Sequence, residues 1–237
     1  MSAIWSPAGG IRYHLRALRH RERTWRPFRD GLEAWLADWR PKASKLAIVG
    51  PSGGYCLPLH AIEHFDQLIV FEPDPIARWL LRRRLRPRSI EFIAQDMWIE
   101  PLLRGGSIPS ALLERDTALL FTNFVGQLRF LVPDRRWNAW QKTWRKQLWP
   151  LLERVPWASF HDRVSGSIAP AVDDRAEFSQ RLNDERVQAL YEGRTAGELV
   201  ELLDHGSGEL LPKGRRYRYL HWPLTSGAHH LIEAVIG

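Results

Sequence analysis

Residues 45–65 read KLAIVGPSGGYCLPLHAIEHF: a short apolar run, a tight cluster of Gly, Pro and Ser, then a second apolar segment. LAIVG (46–50) predicts a buried strand, the cluster predicts a turn, and the segment at 55–64 predicts a helix. The motif then repeats. LIVFE (68–72) predicts a second strand, and DPIARWLLRRRL (74–85) a helix capped by Asp74, with Pro75 at the first helical position, where its missing N–H costs nothing.

Downstream the alternation continues with IEFIAQ (90–95), a broken stretch through Gly105, Gly106 and Pro109, and TALLFTN (117–123). A long helix is expected over 134–152, where Trp137, Trp140, Trp144 and Leu148 recur at spacings of three and four and share one face. WASFHD (157–162) predicts a fifth strand. A loop-rich stretch with Gly166 and Pro170 leads to a helix around 184–204, and RRYRYLHWPLTSGAHHLIEAVIG closes the chain as a hairpin turning at Ser226 and Gly227. Upstream, residues 1–43 are polar, Arg-rich and helical in pattern, with Trp35, Leu36 and Trp39 forming an apolar strip before Pro41.

Five strand-helix repeats predict an α/β protein, a Rossmann-like, mostly parallel sheet with helices on both faces. The C-terminal β-hairpin adds one antiparallel strand. Residues 1–43 form an N-terminal helical extension, read as a cap, and 44–237 form the α/β domain.

The 237 residues carry 34 Lys and Arg against 27 Asp and Glu, a formal net charge of +7. That makes a basic protein with an affinity for anions. A single cysteine, Cys56, excludes a disulfide framework and a multi-Cys zinc module, and so suits the cytoplasm. No stretch approaches the roughly 18 apolar residues of a membrane span, and the opening lacks a signal-peptide core.

In such sheets ligands bind outside the carboxyl ends of the strands. After the first strand stand Gly50, Pro51, Ser52, Gly53 and Gly54, small residues that let the backbone approach a ligand. Glu72 follows the second strand, 22 positions beyond Gly50, where a carboxylate can accept both hydroxyls of a ribose. Asp96, with Met97 and Trp98, follows the third strand and offers a carboxylate beside an apolar wall for an adenine ring; capping the next helix is the equal alternative. Asn123, Phe124, Gly126 and Gln127 follow the fourth, and His161 and Asp162 the fifth.

The glycine loop, Glu72, Asp96 and the terminal hairpin, taken in this order, resemble the class I S-adenosylmethionine-dependent methyltransferase family over roughly 45–237. The resemblance implies that Gly50, Ser52 and Gly54 line the methionine end of S-adenosylmethionine, that Glu72 holds the ribose diol, that Asp96 with Met97 faces the adenine, and that Asn123 borders the methyl group. Asn123 and His161 are the candidate catalytic residues, for an unidentified N, O or C acceptor. The loop departs from the family pattern, with Ile48 at its acidic place and Ser52 at its middle glycine.

Other readings stand beside this one. A binding protein of the same fold, without catalysis and perhaps associated with nucleic acid, is the first rival, and an NAD-dependent oxidoreductase the second. HAIEH (60–64) matches the H-x-x-E-H zinc-protease pattern but lacks an identifiable third ligand, so no metal is expected there. The run Arg82, Arg83, Arg84, Arg86 and Arg88 reads first as a solvated helix end and second as a nucleic-acid footprint.

Overall fold

A computed structural model describes residues 11–85, 89–108, 116–193 and 201–237. Its centre is five parallel strands: β1 (Lys45–Val49), β2 (Gln67–Phe71), β3 (Ser89–Ile93), β4 (Thr117–Thr122) and β5 (Trp157–Gly166). A final hairpin, β8 (Arg216–Thr225) and β9 (Ala228–Ile236), joins the edge of β5. Two short strands, β6 (Glu177–Phe178) and β7 (Leu203–Asp204), pair antiparallel with β8 and β5. The sheet order is β3-β2-β1-β4-β5-β9-β8-β6, with β9 antiparallel to both of its neighbours. This is the Rossmann-like architecture that the sequence predicts, including the single antiparallel strand contributed by the hairpin.

Each central strand is apolar on both faces because both faces are covered. Every residue of β4 is buried, as are the last four of β1 and of β2. On one face lies α6 (Trp137–Leu152), whose Trp140, Trp144, Leu148 and Leu152 sink against Val49, Leu119 and Phe121. The Trp ridge is core, as its spacing implies. Trp144 also satisfies its buried indole N–H by donating to the carbonyl of Leu210 at 2.7 Å.

The opposite face differs from expectation. Residues 51–64, read as carrying a helix over 55–64, form successive turns with no α-helix. Pro51, Gly53, Gly54 and Pro58 interrupt any ladder, and Tyr55, Cys56, Leu57, Ala61, Ile62 and Phe65 are buried. The layer is filled from the N-terminus by α1 (Ile11–His20) and α2 (Arg26–Leu36). Trp25, Phe28, Leu32, Trp35 and Leu36 are buried in one cluster with Leu46, Ile48, Leu220, Trp222 and Ile232 of the sheet. Phe28 stacks on Trp222 at 5.0 Å between ring centroids, and the Trp25 indole donates to the Leu224 carbonyl at 3.1 Å. The Glu33 carboxylate on α2 accepts the main-chain N–H groups of His60 and Ala61, and so fastens the turn segment.

The described part of the extension expected over 1–43 is therefore packed into the same core as the sheet. Of the helix expected around 184–204, α7 (Asp184–Ala189) and β7 are seen, and 194–200 lie outside the described residues. The helix after β2, α3 (Pro75–Arg84), is as expected: Asp74 accepts from the N–H groups of Ile76 and Ala77. A short α4 (Glu100–Leu103) follows β3, and α5 (Leu128–Leu131) follows β4.

Because Phe28 sits in the shared core, Phe28→Ala should lower unfolding free energy by about 3–5 kcal/mol in a urea titration. A change within about 0.5 kcal/mol, the size of a surface substitution, would show the helices riding loosely on an independent domain.

Candidate functional site

The carboxyl ends of β1 and β2 are joined through one side chain. Glu72 is buried, and its carboxylate accepts the main-chain N–H of Ser52 at 2.8 Å with one oxygen and that of Asp74 at 2.9 Å with the other. Burial pushes the Glu72 carboxyl up to about 7, although both N–H groups favour its charged form. The loop it holds bends through left-handed backbone at Gly50 (φ 69°), Ser52 (φ 48°) and Gly54 (φ 69°). Ser52 and Glu72 are thus joined directly where the loop meets the end of β2.

Part of that loop's smallness serves the protein's own packing. A Cβ added at Gly50 would lie 3.1 Å from Cβ of Phe124, and one at Gly54 would lie 2.7 Å from Cδ2 of Leu81 on α3. From above, α1 brings His14, whose ring nitrogens meet the Tyr55 hydroxyl at 2.9 Å and the Asp74 carboxylate at 3.1 Å. Arg84 lies over the Tyr55 ring at 4.3 Å.

Asp96 takes the capping alternative: its carboxylate accepts the N–H groups of Trp98, Ile99 and Glu100, at the start of α4. Met97 is partly buried against the core cluster on the α6 face. Neighbouring Trp98 is buried among Phe71, Phe121, Phe124 and Trp144.

A second buried carboxylate organises the ends of β4 and β5. Asp162 accepts from the side-chain amides of Asn123 at 3.0 Å and Gln127 at 2.8 Å on one oxygen, and pairs with Nδ1 of His230 at 2.8 Å on the other. Its own N–H donates to the Asn123 side-chain carbonyl at 2.8 Å, so both amide atoms of Asn123 serve this one residue. Asn123 holds a left-handed conformation (φ 57°), which Asn tolerates better than most residues. His205 lies alongside, with Nδ1 at 3.8 Å from the carboxylate and 2.9 Å from the Gly126 carbonyl, and Nε2 at 2.9 Å from the Ser165 hydroxyl. Burial opposes ionisation of Asp162, but the His230 charge and hydrogen bond outweigh it and bring the carboxyl down to about 2. The same pairing raises His230 against the opposing effect of burial.

His161, expected at the mouth of the site, faces the other way. Side chains alternate along a strand, and β5 sends Asp162 to the α1 side and His161 to the other, where Nδ1 meets the Ser159 hydroxyl at 2.9 Å and Nε2 lies 3.6 Å from Glu233. Glu233 also accepts from Arg181 and the Tyr219 hydroxyl, and against the opposing effect of burial His161 and Arg181 bring it down to about 2. His161 is thus buried in an internal network with Ser159 and Glu233, and not at the mouth of the site where the sequence placed a catalytic residue.

Between the two carboxylates stand β1 and β4. Cys56 in the turn segment, buried and pushed up to about 12 chiefly by desolvation, also feels the Asp162 charge, as does Tyr13 of α1. The remaining sequence signals resolve into structure. His60 is exposed and pairs with Glu63, and Arg82 and Arg83 lie over Phe92 and Trp79. Arg86, Arg88 and Pro109 fall outside the described residues. His205 and His230 were absent from the sequence-based site; the only hint lay in the alternation of β9, which puts His230 on the face opposite Glu233.

The sequence matches no protein-family profile and no curated protein. Among solved structures it is similar to the N-methyltransferase NodS from Bradyrhizobium japonicum WM9, at 11% identity over 91% of this chain and 97% of that one, with a TM-score of 0.43. It is also similar to magnesium protoporphyrin IX methyltransferase from Synechocystis PCC 6803 with bound SAM, at 12% identity over 98% and 87%, with a TM-score of 0.41. A further likeness is to a putative Zn-dependent alcohol dehydrogenase from Rhodobacter sphaeroides, at 16% identity over 55% and 45%, with a TM-score of 0.38. At these identities and scores the likeness carries nothing about the chemistry of the site.

The elevated Glu72 carboxyl has a consequence for stability. The fold favours its protonated form, so the group's contribution is full below the unfolded value near 4.5 and is lost as pH rises through about 7. Urea unfolding of the wild type between pH 5 and pH 8 should reveal a loss from this group of up to about 3 kcal/mol. Glu72→Gln, less stable at low pH for want of a second acceptor, should flatten that slope; an unchanged slope would assign the pH dependence elsewhere.

Proposed function

We infer that the chain binds S-adenosylmethionine at the carboxyl ends of β1 and β2 and transfers its methyl group to a small-molecule N, O or C nucleophile. The observation that carries this reading is the placement of Glu72: a buried acid at the end of β2, bonded to the main chain of the bend after β1, in a sheet whose parallel half is closed by a hairpin. Each of its oxygens has a lone pair beyond the N–H it accepts, so it has the capacity to accept a ribose hydroxyl without breaking either bond. Asp96 is committed to capping, which leaves adenine recognition to the apolar surface beside Met97.

When bound, the cofactor supplies an electrophilic methyl group. The chain's own contribution is to hold and orient, which can account for several kcal/mol of barrier. Ser52 and Glu72 fix the sugar end. Tyr55, anchored by His14 and Arg84, and Phe124, packed on Gly50, wall the bend against water. Asn123 acts through Asp162, since both of its amide atoms are committed there. The single, buried Cys56 is consistent with a cytoplasmic setting.

One observation favours the non-catalytic rival: the bend is followed by turns, so no long helix presents its free N–H groups to a ligand. Calorimetry separates the readings. S-adenosylmethionine and S-adenosylhomocysteine should bind the wild type and bind Glu72→Ala at least about tenfold more weakly, for loss of the carboxyl group's hydrogen bonds. Binding of NAD alone would favour an oxidoreductase, and silence with all three the non-catalytic protein.

A further inference from the structure

We propose that Asp162, His205 and His230 form a binding site for a first-row divalent cation of the zinc type. The three residues come from separate elements: Asp162 from β5, His205 from the turn after β7 and His230 from β9. Each offers one ligand atom, and the three atoms lie within 4.8 Å of one another. Two imidazoles and one carboxylate are a donor set for zinc and its neighbours rather than for magnesium or calcium, which prefer oxygen. Three protein ligands leave a fourth position open, which is the arrangement of a reactive rather than a closed structural site.

The surroundings support the assignment. Metal-binding imidazoles are oriented by a partner on the second nitrogen, and ligating carboxylates are hydrogen-bonded in turn. His205 meets the Ser165 hydroxyl through Nε2, its Nδ1 lies 3.8 Å from the carboxylate and would exchange its 2.9 Å bond to the Gly126 carbonyl for the cation, and Asp162 is backed by the amides of Asn123 and Gln127. All three ligands are buried or nearly so. A cation would replace the proton shared between Nδ1 of His230 and Asp162, which passes to solvent, and the Nδ1 proton of His205, which can reappear on Nε2 with Ser165 as its acceptor. Arg16 of α1 also acts on His230 through its positive charge, which opposes a cation there. The assignment does not depend on methyl transfer.

The test uses the full chain, stripped with a chelator and titrated with zinc chloride alone by calorimetry. One zinc per chain is expected. Binding should be abolished in His205→Ala/His230→Ala, weakened about ten- to a hundredfold in Ser165→Ala, tightened in Arg16→Ala and unaltered in His60→Ala. X-ray absorption on the zinc-loaded wild type, which needs no variant to fold, should show two imidazoles and an oxygen ligand. Absence of stoichiometric zinc, zinc that survives the double substitution, or a zinc environment without two imidazoles overturns the proposal, and the cluster is then a hydrogen-bonded network alone.

Discussion

A carboxylate taken out of water must be met by donors, and this fold meets two of them, after β2 and on β5, with β1 and β4 between. Glu72 is met by main chain, and the N–H groups it collects belong to the bend after β1 and to the residue that caps α3. The bend therefore cannot relax without stranding a buried acid. Its left-handed residues, its contact with Phe124 and the seat it makes for Tyr55 all follow from that anchor.

Asp162 is met by side chains instead, from β4, the turn beyond it and β9. The difference matters chemically. Main-chain donors hold Glu72 rigidly, whereas the imidazole and amide donors around Asp162 can exchange protons or give way to another ligand. The fold thus places a fixed acid on the side of β2 and an adaptable one on the side of β5, and the charge of the latter reaches Cys56 and Tyr13. The N-terminal helices close the space above, and His14 ties α1 to both Tyr55 and Asp74. Replacing the helix after β1 by α1 and α2 makes the lid of the site a structural layer of the core.

Much of this was legible in the sequence, and the reasons are physical. The central strands β1, β2 and β4 are short, apolar and bounded by Gly, charge or Asn, a pattern that burial on both faces imposes. Asp74-Pro75 marked the start of α3, and the Trp spacing marked the buried ridge of α6. The segment 55–64 carries apolar residues and a polar trio, His60, Glu63 and His64, at helical spacing, yet Gly53, Gly54 and Pro58 break it into turns. Residue parity misled at β5: adjacent residues on a strand face opposite ways, so choosing His161 over Asp162 reversed the site, and only the packed layers distinguish the two faces. His205 and His230 lie 25 residues apart and reach Asp162 through antiparallel pairing, a juxtaposition that no local motif encodes.

The central claim is that the bend after β1 and the acid after β2 form one adenosyl-binding crevice. Amide-resolved NMR of the wild type with added S-adenosylhomocysteine tests it most directly. The account predicts saturable shifts concentrated at the amides of Gly50, Ser52, Gly53, Glu72 and Asp74. Shifts confined to other strand ends, or no shifts at millimolar ligand, would contradict it.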